Sequence, residues 1–253
     1  MNIRARLIPV CALALAAPFA LGACSAVTGG GEITHEKRDF SYTGRKLSIR
    51  AANSEVKLET GDSGKVHVER KMEGKAGDGG NSEWGLDGST LTLTTDCKGI
   101  SISCSGSYSV TVPKGVAVEL TSTAGAVTAQ GFTQPLSLDV KNASVTARDV
   151  SGKLGMTVRG GNAVAEGVRS EEVSASSSNG RVKVAFTAVP KKVVVSAGNG
   201  NANVTLPQGD EEYRVVTKAV NGQAKSTVPD TRGSSRSVEV TSQNGSVRVD
   251  RAQ

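Results

Sequence analysis

Few residues in this chain could do chemistry. Among 253 residues there are two histidines and four cysteines. Neither His35 nor His67 has a serine or cysteine close in sequence that suggests an activated nucleophile. The acid cluster of the C-terminal half, "GDEE" at 209–212, has the character of a solvated loop tip. "GDGGN" at 77–81 is a single copy of a pattern whose calcium chemistry needs tandem copies. No glycine-rich loop leads from a strand into a helix to cradle a phosphate. These residues assign no catalytic centre, no metal site and no cofactor. Positive charge is the stronger lead: residues 173–253 hold eleven Lys/Arg against six Asp/Glu. Arg181 and Lys183 alternate with Val182 and Val184, and Lys191 and Lys192 follow at a turn. Together these four form a candidate binding face for an anionic polymer. The competing reading is a solvated face that keeps an exposed sheet from pairing with others. Nucleic acid is not an expected partner, since one Trp, three Tyr and four Phe give little for bases to stack on.

The N-terminus supplies an address. In "MNIRARLIPVCALALAAPFALGAC", Arg4 and Arg6 precede an apolar run from Leu7 to Leu21, the layout of an export signal. With Pro9 and Pro18 inside it, that run is marginal for a stop-transfer helix. "LGAC" at 21–24 resembles a bacterial lipobox. The resemblance implies cleavage before Cys24 and a diacylglyceryl thioether on its sulfur; an ordinary secretory peptide cut near Ala23 is the alternative. Two acyl chains anchor stably where one, at about 0.8 kcal/mol per buried CH₂, is marginal. The expected organisation is a signal peptide at 1–23, a lipidated tether at 24–43, an N-terminal β region at 44–119 and a repeat array at 120–253. The mature protein is then extracytoplasmic, with the membrane as its partner through Cys24. Losing Arg4 and Arg6 lowers the net charge from +6 to +4, an excess that suits anionic envelope polymers or simple solubility. With Cys11 removed and Cys24 lipidated, Cys97 and Cys104 remain. Outside the cytoplasm such a pair is expected as a disulfide, contributing about 2–3 kcal/mol by closing a short loop.

The array declares itself by repetition. Ala124, Asn142, Gly161, Asn179, Asn199, Asn221 and Asn244 each precede a short Val-rich run, at intervals of 18 to 23 residues. Three positions beyond them stand Val127, Val145, Val164, Val182, Ala202, Ala224 and Val247; two further on, small or apolar residues recur with Glu166 as the exception. Gly160–Gly161 suggests a bulge that shifts register there. Each unit reads strand, tight corner, strand, looser turn. Periods of this size indicate repeat architectures, and small interior residues with few aromatics point to a thin core. No two adjacent units carry an acid at the same offset, as a carbohydrate-cleaving carboxylate pair would. The expectation is therefore an all-β, single-stranded parallel β-helix or solenoid with an irregular N-terminal β cap region. Its corner asparagines are aligned in a ladder. An antiparallel meander is the rival, because Asn-Gly favours hairpin turns. Trp84 is expected to plug one end of the core, with sugar stacking as its other reading.

"LSIRAANSEVKLETGDSGKVHVERK" at 47–71, "VTVPKGV" at 110–116 and the corners from 124 to 249 resemble a bacterial family of β-strand-repeat proteins. That family is catalogued as a domain of unknown function and labelled "putative adhesin". The resemblance implies a β-helical fold outside the cytoplasm, frequently on lipoproteins. Members often place Asp after the corner glycine, where this chain has Ala126, Ser144, Ala163, Arg181, Asn201, Gln223 and Ser246. The functional expectation is a non-catalytic, lipid-anchored binding or scaffold module of the cell envelope, contacting an anionic envelope polymer or a peptide, or another envelope protein. A β-helical carbohydrate-active enzyme and a structural or stress-sensing accessory lipoprotein are the alternatives.

Overall fold

Two-residue periodicity governs the elements. The computed structural model describes residues 33–74, 76, 82–96 and 104–253; Cys24 and Cys97 lie outside them. The described residues form β1 (Ile33–Ser41), β2 (Lys46–Ala52), β3 (Glu55–Gly61), β4 (Lys65–Gly74), β5 (Ser82–Asp87), β6 (Thr90–Thr95) and β7 (Cys104–Pro113). There follow β8 (Ala117–Ala124), β9 (Val127–Gln130), β10 (Leu136–Asn142), β11 (Val145–Arg148), β12 (Leu154–Gly160), β13 (Ala163–Val168) and β14 (Glu172–Asn179). The last seven are β15 (Val182–Phe186), β16 (Lys192–Asn199), β17 (Ala202–Leu206), β18 (Arg214–Asn221), β19 (Ala224–Ser226), β20 (Ser237–Asn244) and β21 (Val247–Arg251). Along β10, Leu136, Leu138 and Val140 are buried while Ser137 and Lys141 are exposed, the alternation of a strand with one dry face.

From β8 onward the chain deals its strands alternately to two sheets. The first sheet has the order β1-β4-β7-β3-β9-β11-β13-β15-β17-β21-β19, the second β18-β20-β16-β14-β12-β10-β8-β2-β6-β5. Their inward side chains form one hydrophobic cluster. No helix among the described residues is long and apolar enough to cross a membrane.

This architecture corrects the expected single-stranded parallel β-helix. A single winding would lay its strands side by side in chain order and in one direction. Here two open, mixed sheets form instead. β4 runs antiparallel to both β1 and β7, and β5 runs antiparallel to β6. At the other end β20 lies between β16 and β18, and β21 between β17 and β19. The corner residues specify a local change of direction, which does not dictate which strand becomes a neighbour. The long connections "LPQGDEEYR" and "VPDTRGSSR" leave the last two strands room to enter between earlier ones. The antiparallel meander is not found here either, since neighbouring strands from β8 to β21 pair in parallel.

The corners themselves are where the sequence puts them, with one shift. Ala124, Asn142, Asn179, Asn199, Asn221 and Asn244 end strands of the second sheet, but β12 ends at Gly160, not Gly161. Gly160 faces Asn179 and Ala163, not Val164, faces Val145 and Val182. Counted so, Ala165 occupies the inward position and Glu166 turns outward, which removes the exception. The register does shift, but later, between Ala165 and Val168 around Gly167 at φ 64°.

The aligned asparagines are bonded. Asn221 donates through Nδ2 to Asn244 Oδ1, Asn244 to Asn199, and Asn199 to Asn179, each at 2.7 Å. The ladder ends on the Arg159 carbonyl at 3.2 Å. Behind it the next residue must be glycine. A Cβ on Gly200 would sit 2.2 Å from the Gly180 carbonyl oxygen, and one on Gly245 2.2 Å from that of Gly200.

The N-terminal end is built differently. β1 occupies residues assigned in sequence to the tether, because it pairs with β4 along its whole length, from Ile33 opposite Glu73 to Ser41 opposite Lys65. Trp84, on edge strand β5, is 9% exposed and reaches across to the other sheet. The Arg38 and Arg70 guanidiniums lie 4.5 and 4.6 Å from its ring centroid, so the indole closes this end of the core as a cation–π sandwich.

Candidate functional site

Parallel strands in register place residues of equal offset in rows that run across the sheet. On the outer face of the second sheet, Lys46 stands opposite Ala117, and Glu172 opposite Lys192. Ser237 lies between Lys192 and Arg214. Pro135 and Lys153 join the same row, one residue before the paired Leu136 and Leu154. The strand-start row therefore reads Lys46, Ala117, Pro135, Lys153, Glu172, Lys192, Ser237, Arg214. The next outward row is Ser48, Glu119, Ser137, Gly155, Ser174, Val194, Glu239, Val216. Its small members leave a depression beside the cations.

That depression runs through three linked grooves. One of about 470 Å³ is lined by Lys46, Ala117, Pro135, Ser137, Lys153 and Gly155 among others. The next, about 210 Å³, shares Lys153 and adds Glu172, Ser174, Lys192 and Val194. The third, about 250 Å³, shares Lys192 and Val194 and extends to Arg214 and Val216. A third outward row supplies hydroxyls in sequence, with Thr157 opposite Ser176 and Ser176 opposite Ser196.

Charge on this face is mixed, with a cationic surplus. From β2 to β18 its outward side chains include Lys46, Arg50, Lys141, Lys153, Arg159, Lys192, Arg214 and Lys218 against Glu119, Asp139, Glu172 and Glu239. Lys46 Nζ lies 2.6 Å from Glu119 and Lys153 Nζ 2.9 Å from Glu172. The Lys153 ammonium, bonded to Glu172, holds that carboxyl below its ordinary range, and Lys192 and Lys191 add to the effect. Such exposed pairs contribute little to stability, so they do not explain the row. Among the described residues no carboxylate forms an ion pair with Lys192 or Arg214.

The four cations singled out in sequence do not form one face. Lys183 lies on β15 in the first sheet and Lys192 on β16 in the second. Lys183 Nζ bonds Glu166 at 2.9 Å, and Lys191 Nζ bonds Glu171 at 2.8 Å. Arg181 is exposed beside its corner, where its backbone N–H donates to Asn162 Oδ1 at 2.9 Å. Lys192 alone belongs to the groove. Sequence reasoning missed Lys46, Lys153 and Arg214 because they are far apart along the chain. A usable signal was present: Lys153, Lys192 and Arg214 each stand seven residues before the corners Gly160, Asn199 and Asn221. Cys104 opens β7 opposite Gly74; its expected partner lies outside the described residues.

His67 belongs to a separate cluster on the first sheet. Its Nδ1 lies 2.6 Å from Asp39 and its Nε2 3.2 Å from Glu69. Lys37 holds the same Glu69 at 2.6 Å. Hydrogen bonds to Asp39 and then Glu69 raise the imidazole's pKa, while the hydrogen bond to His67 lowers that of Asp39. With both ring nitrogens engaged by carboxylates, the imidazole is a strand clamp and has no free nitrogen to act as a base.

Among solved structures, the chain is similar to a "putative lipid binding protein" from Parabacteroides distasonis. The two share 13% identity over 87% of this chain and 97% of that one, with a TM-score of 0.51. It also aligns with a "putative adhesin" from Parabacteroides merdae, at 12% identity over 88% and 97% of the two chains and a TM-score of 0.44. A "putative cell adhesion protein" from Clostridium sporogenes aligns at 11% identity over 87% and 100%, with a TM-score of 0.40. No family model matches the chain, and no curated protein does. A likeness at 13% identity concerns the fold alone.

Proposed function

We propose that this protein is a lipid-anchored, non-catalytic binding module of the cell envelope that holds an extended anionic polymer against the outer face of its second sheet. The observation that carries the reading is the linked groove from Lys46 to Arg214. It is long, shallow and bordered by cations, two of which are without a carboxylate partner among the described residues. A compact substrate would want a closed pocket; a polymer wants a track. The export segment and Cys24 supply attachment outside the membrane, and the Cys97–Cys104 disulfide belongs to the same oxidising address.

Fractionation and sedimentation test the two halves of the proposal. Cys24→Ser should move the protein from the membrane fraction to the soluble one; retention in the membrane would overturn the anchor. The full chain in detergent should co-sediment with an insoluble envelope fraction and be released as salt is raised. Combined Lys192→Gln and Arg214→Gln should lower that retention, and Lys183→Gln, on the opposite sheet, should not. Equal loss from both would remove the groove from the argument.

A further inference from the structure

The spacing of the cations narrows the class of polymer. Lys153 immediately precedes β12, Lys192 and Arg214 open β16 and β18, and the sheet order places one strand between each successive pair. Neighbouring strands are about 4.8 Å apart, so the positive charges recur about every 9.6 Å along the groove. Phosphates in a polyphosphate follow one another through single bridging oxygens, several times within that interval. The interval is close to the length of two linked pyranose rings. Between the cations each interval strand offers one hydroxyl and one carboxylate in the two nearest rows: Ser174 with Glu172 on β14, and Ser237 with Glu239 on β20. Carboxylates at these positions accept from sugar hydroxyls and repel a densely charged polyphosphate. Serine hydroxyls both donate and accept, which suits the hydroxyls of a sugar and adds little for a polyphosphate.

From this geometry we infer that the groove takes an acidic polysaccharide carrying one carboxylate per disaccharide, laid across the strands with its charges on Lys153, Lys192 and Arg214. Lys153 reaches the glycan by exchanging its bond to Glu172, an exposed pair that is weak in water. Lys192 and Arg214 engage it directly, and Arg214 can do so through two parallel N–H donors. The inference rests on the polymer-binding reading above and refines its ligand.

The test uses the full chain in detergent, at low salt, with three probes of matched length: hyaluronan oligosaccharides, which carry one carboxylate per disaccharide, inorganic polyphosphate, and neutral N-acetylglucosamine oligomers. Hyaluronan should bind tightest by calorimetry, by about tenfold or more over the neutral oligomer. Lys192→Gln and Arg214→Gln should each weaken it by about fivefold, the upper range for an exposed charge pair. Lys183→Gln should leave it unchanged. Polyphosphate binding as tightly as hyaluronan would overturn the glycan inference while leaving polymer binding in place. Binding of neither anion would overturn both. Equal weakening by Lys183→Gln would show that net charge, not the spacing along the groove, sets affinity.

Discussion

The two ends of this molecule keep the same pair of sheets together by opposite means. At the N-terminal end the fasteners are large side chains: Trp84 between two guanidiniums, Tyr108 buried with its hydroxyl donating to the Thr94 carbonyl at 2.9 Å, and Met72, Leu91 and Leu93 around them. Strands there lie out of chain order, and the antiparallel pairs β1–β4, β4–β7 and β5–β6 stand beside parallel ones such as β3–β7 and β2–β6. In the array beyond β8 the strands of the first sheet turn inward small residues such as Ala147, Ala165, Val184 and Val204, with Phe132, Phe186 and Tyr213 as the few large fillers, and the repeated fasteners are backbone corners. Asparagine side chains join one corner to the next, and glycines allow neighbouring backbones to touch. Repetition suits the second method, because one corner design serves every unit. An end has no further unit to lean on, so it must be closed by bulk.

The sharpest way to break this contrast is Trp84→Ala. Removing a buried aromatic of this size costs about 3–5 kcal/mol, and it strips the shared partner from Arg38 and Arg70. Hydrogen exchange should show β2 to β7 losing protection while β14 to β17 keep theirs. Equal loss in both regions would mean the molecule opens as one unit and that the division drawn here is not energetic.

The converse test acts on a corner. Gly200→Ala puts a methyl 2.2 Å from the Gly180 carbonyl oxygen at a φ of 154°, where the atom it meets belongs to rigid backbone. A cost of about 2–3 kcal/mol is expected from the clash and the disfavoured dihedral. It should appear as lost protection in β15 to β17 and β20 to β21, with β1 to β7 spared. A cost near zero would mean that corner glycines are a matter of sequence habit and that the ladder of asparagines alone aligns the units.

The same contrast explains what could be read from the chain. In the array, each unit repeats the cause of its own geometry, so Asn142, Asn179, Asn199, Asn221 and Asn244 could be placed at corners without any coordinates. Gly160 and Gly161 show the limit, since either glycine suits a corner and only the neighbours decide. Strand order was out of reach for a related reason. Nothing in β18 or β20 alone says which should lie beside β16, because "VVTK" and "VEVT" offer the same alternation to the same partner. At the N-terminal end β1 looks like tether because its residues are mostly exposed on both faces; it is a strand through its pairing with β4, which the sequence does not announce. The groove lies between these cases. Its cations were visible, but grouping them by closeness in sequence selected Lys183 and Lys191, which carboxylates of neighbouring units hold. Grouping by distance from the corner selects Lys153, Lys192 and Arg214.

The smallest effect expected lies on β1, where charge takes the place of bulk. Asp39 faces His67 across the strand pair, with Lys37 on β1 and Lys65 and Glu69 on β4 completing the cluster. The histidine's pKa is raised above 6.5 by hydrogen bonds to Asp39 and Glu69. A group raised on folding stabilises fully below its unfolded pKa and loses that contribution as pH climbs through the folded value. Asp39 and Glu69 are shifted down, so their share is present above their unfolded values and lost only as acid protonates them in the folded state. β1 should therefore be held best between the carboxylate range and about pH 6.5, and should loosen above it. After correction for intrinsic exchange, amides of β1 should exchange faster at pH 8.5 than at pH 6, while those of β10 and β12, which carry no histidine, should not change. His67→Gln should flatten the β1 response without unfolding the sheet, since Val66 and Val68 on either side remain buried. A β1 response that survives the substitution would place its origin outside the imidazole. It would also leave β1 held by backbone pairing alone, which is the array's method and not that of the N-terminal end.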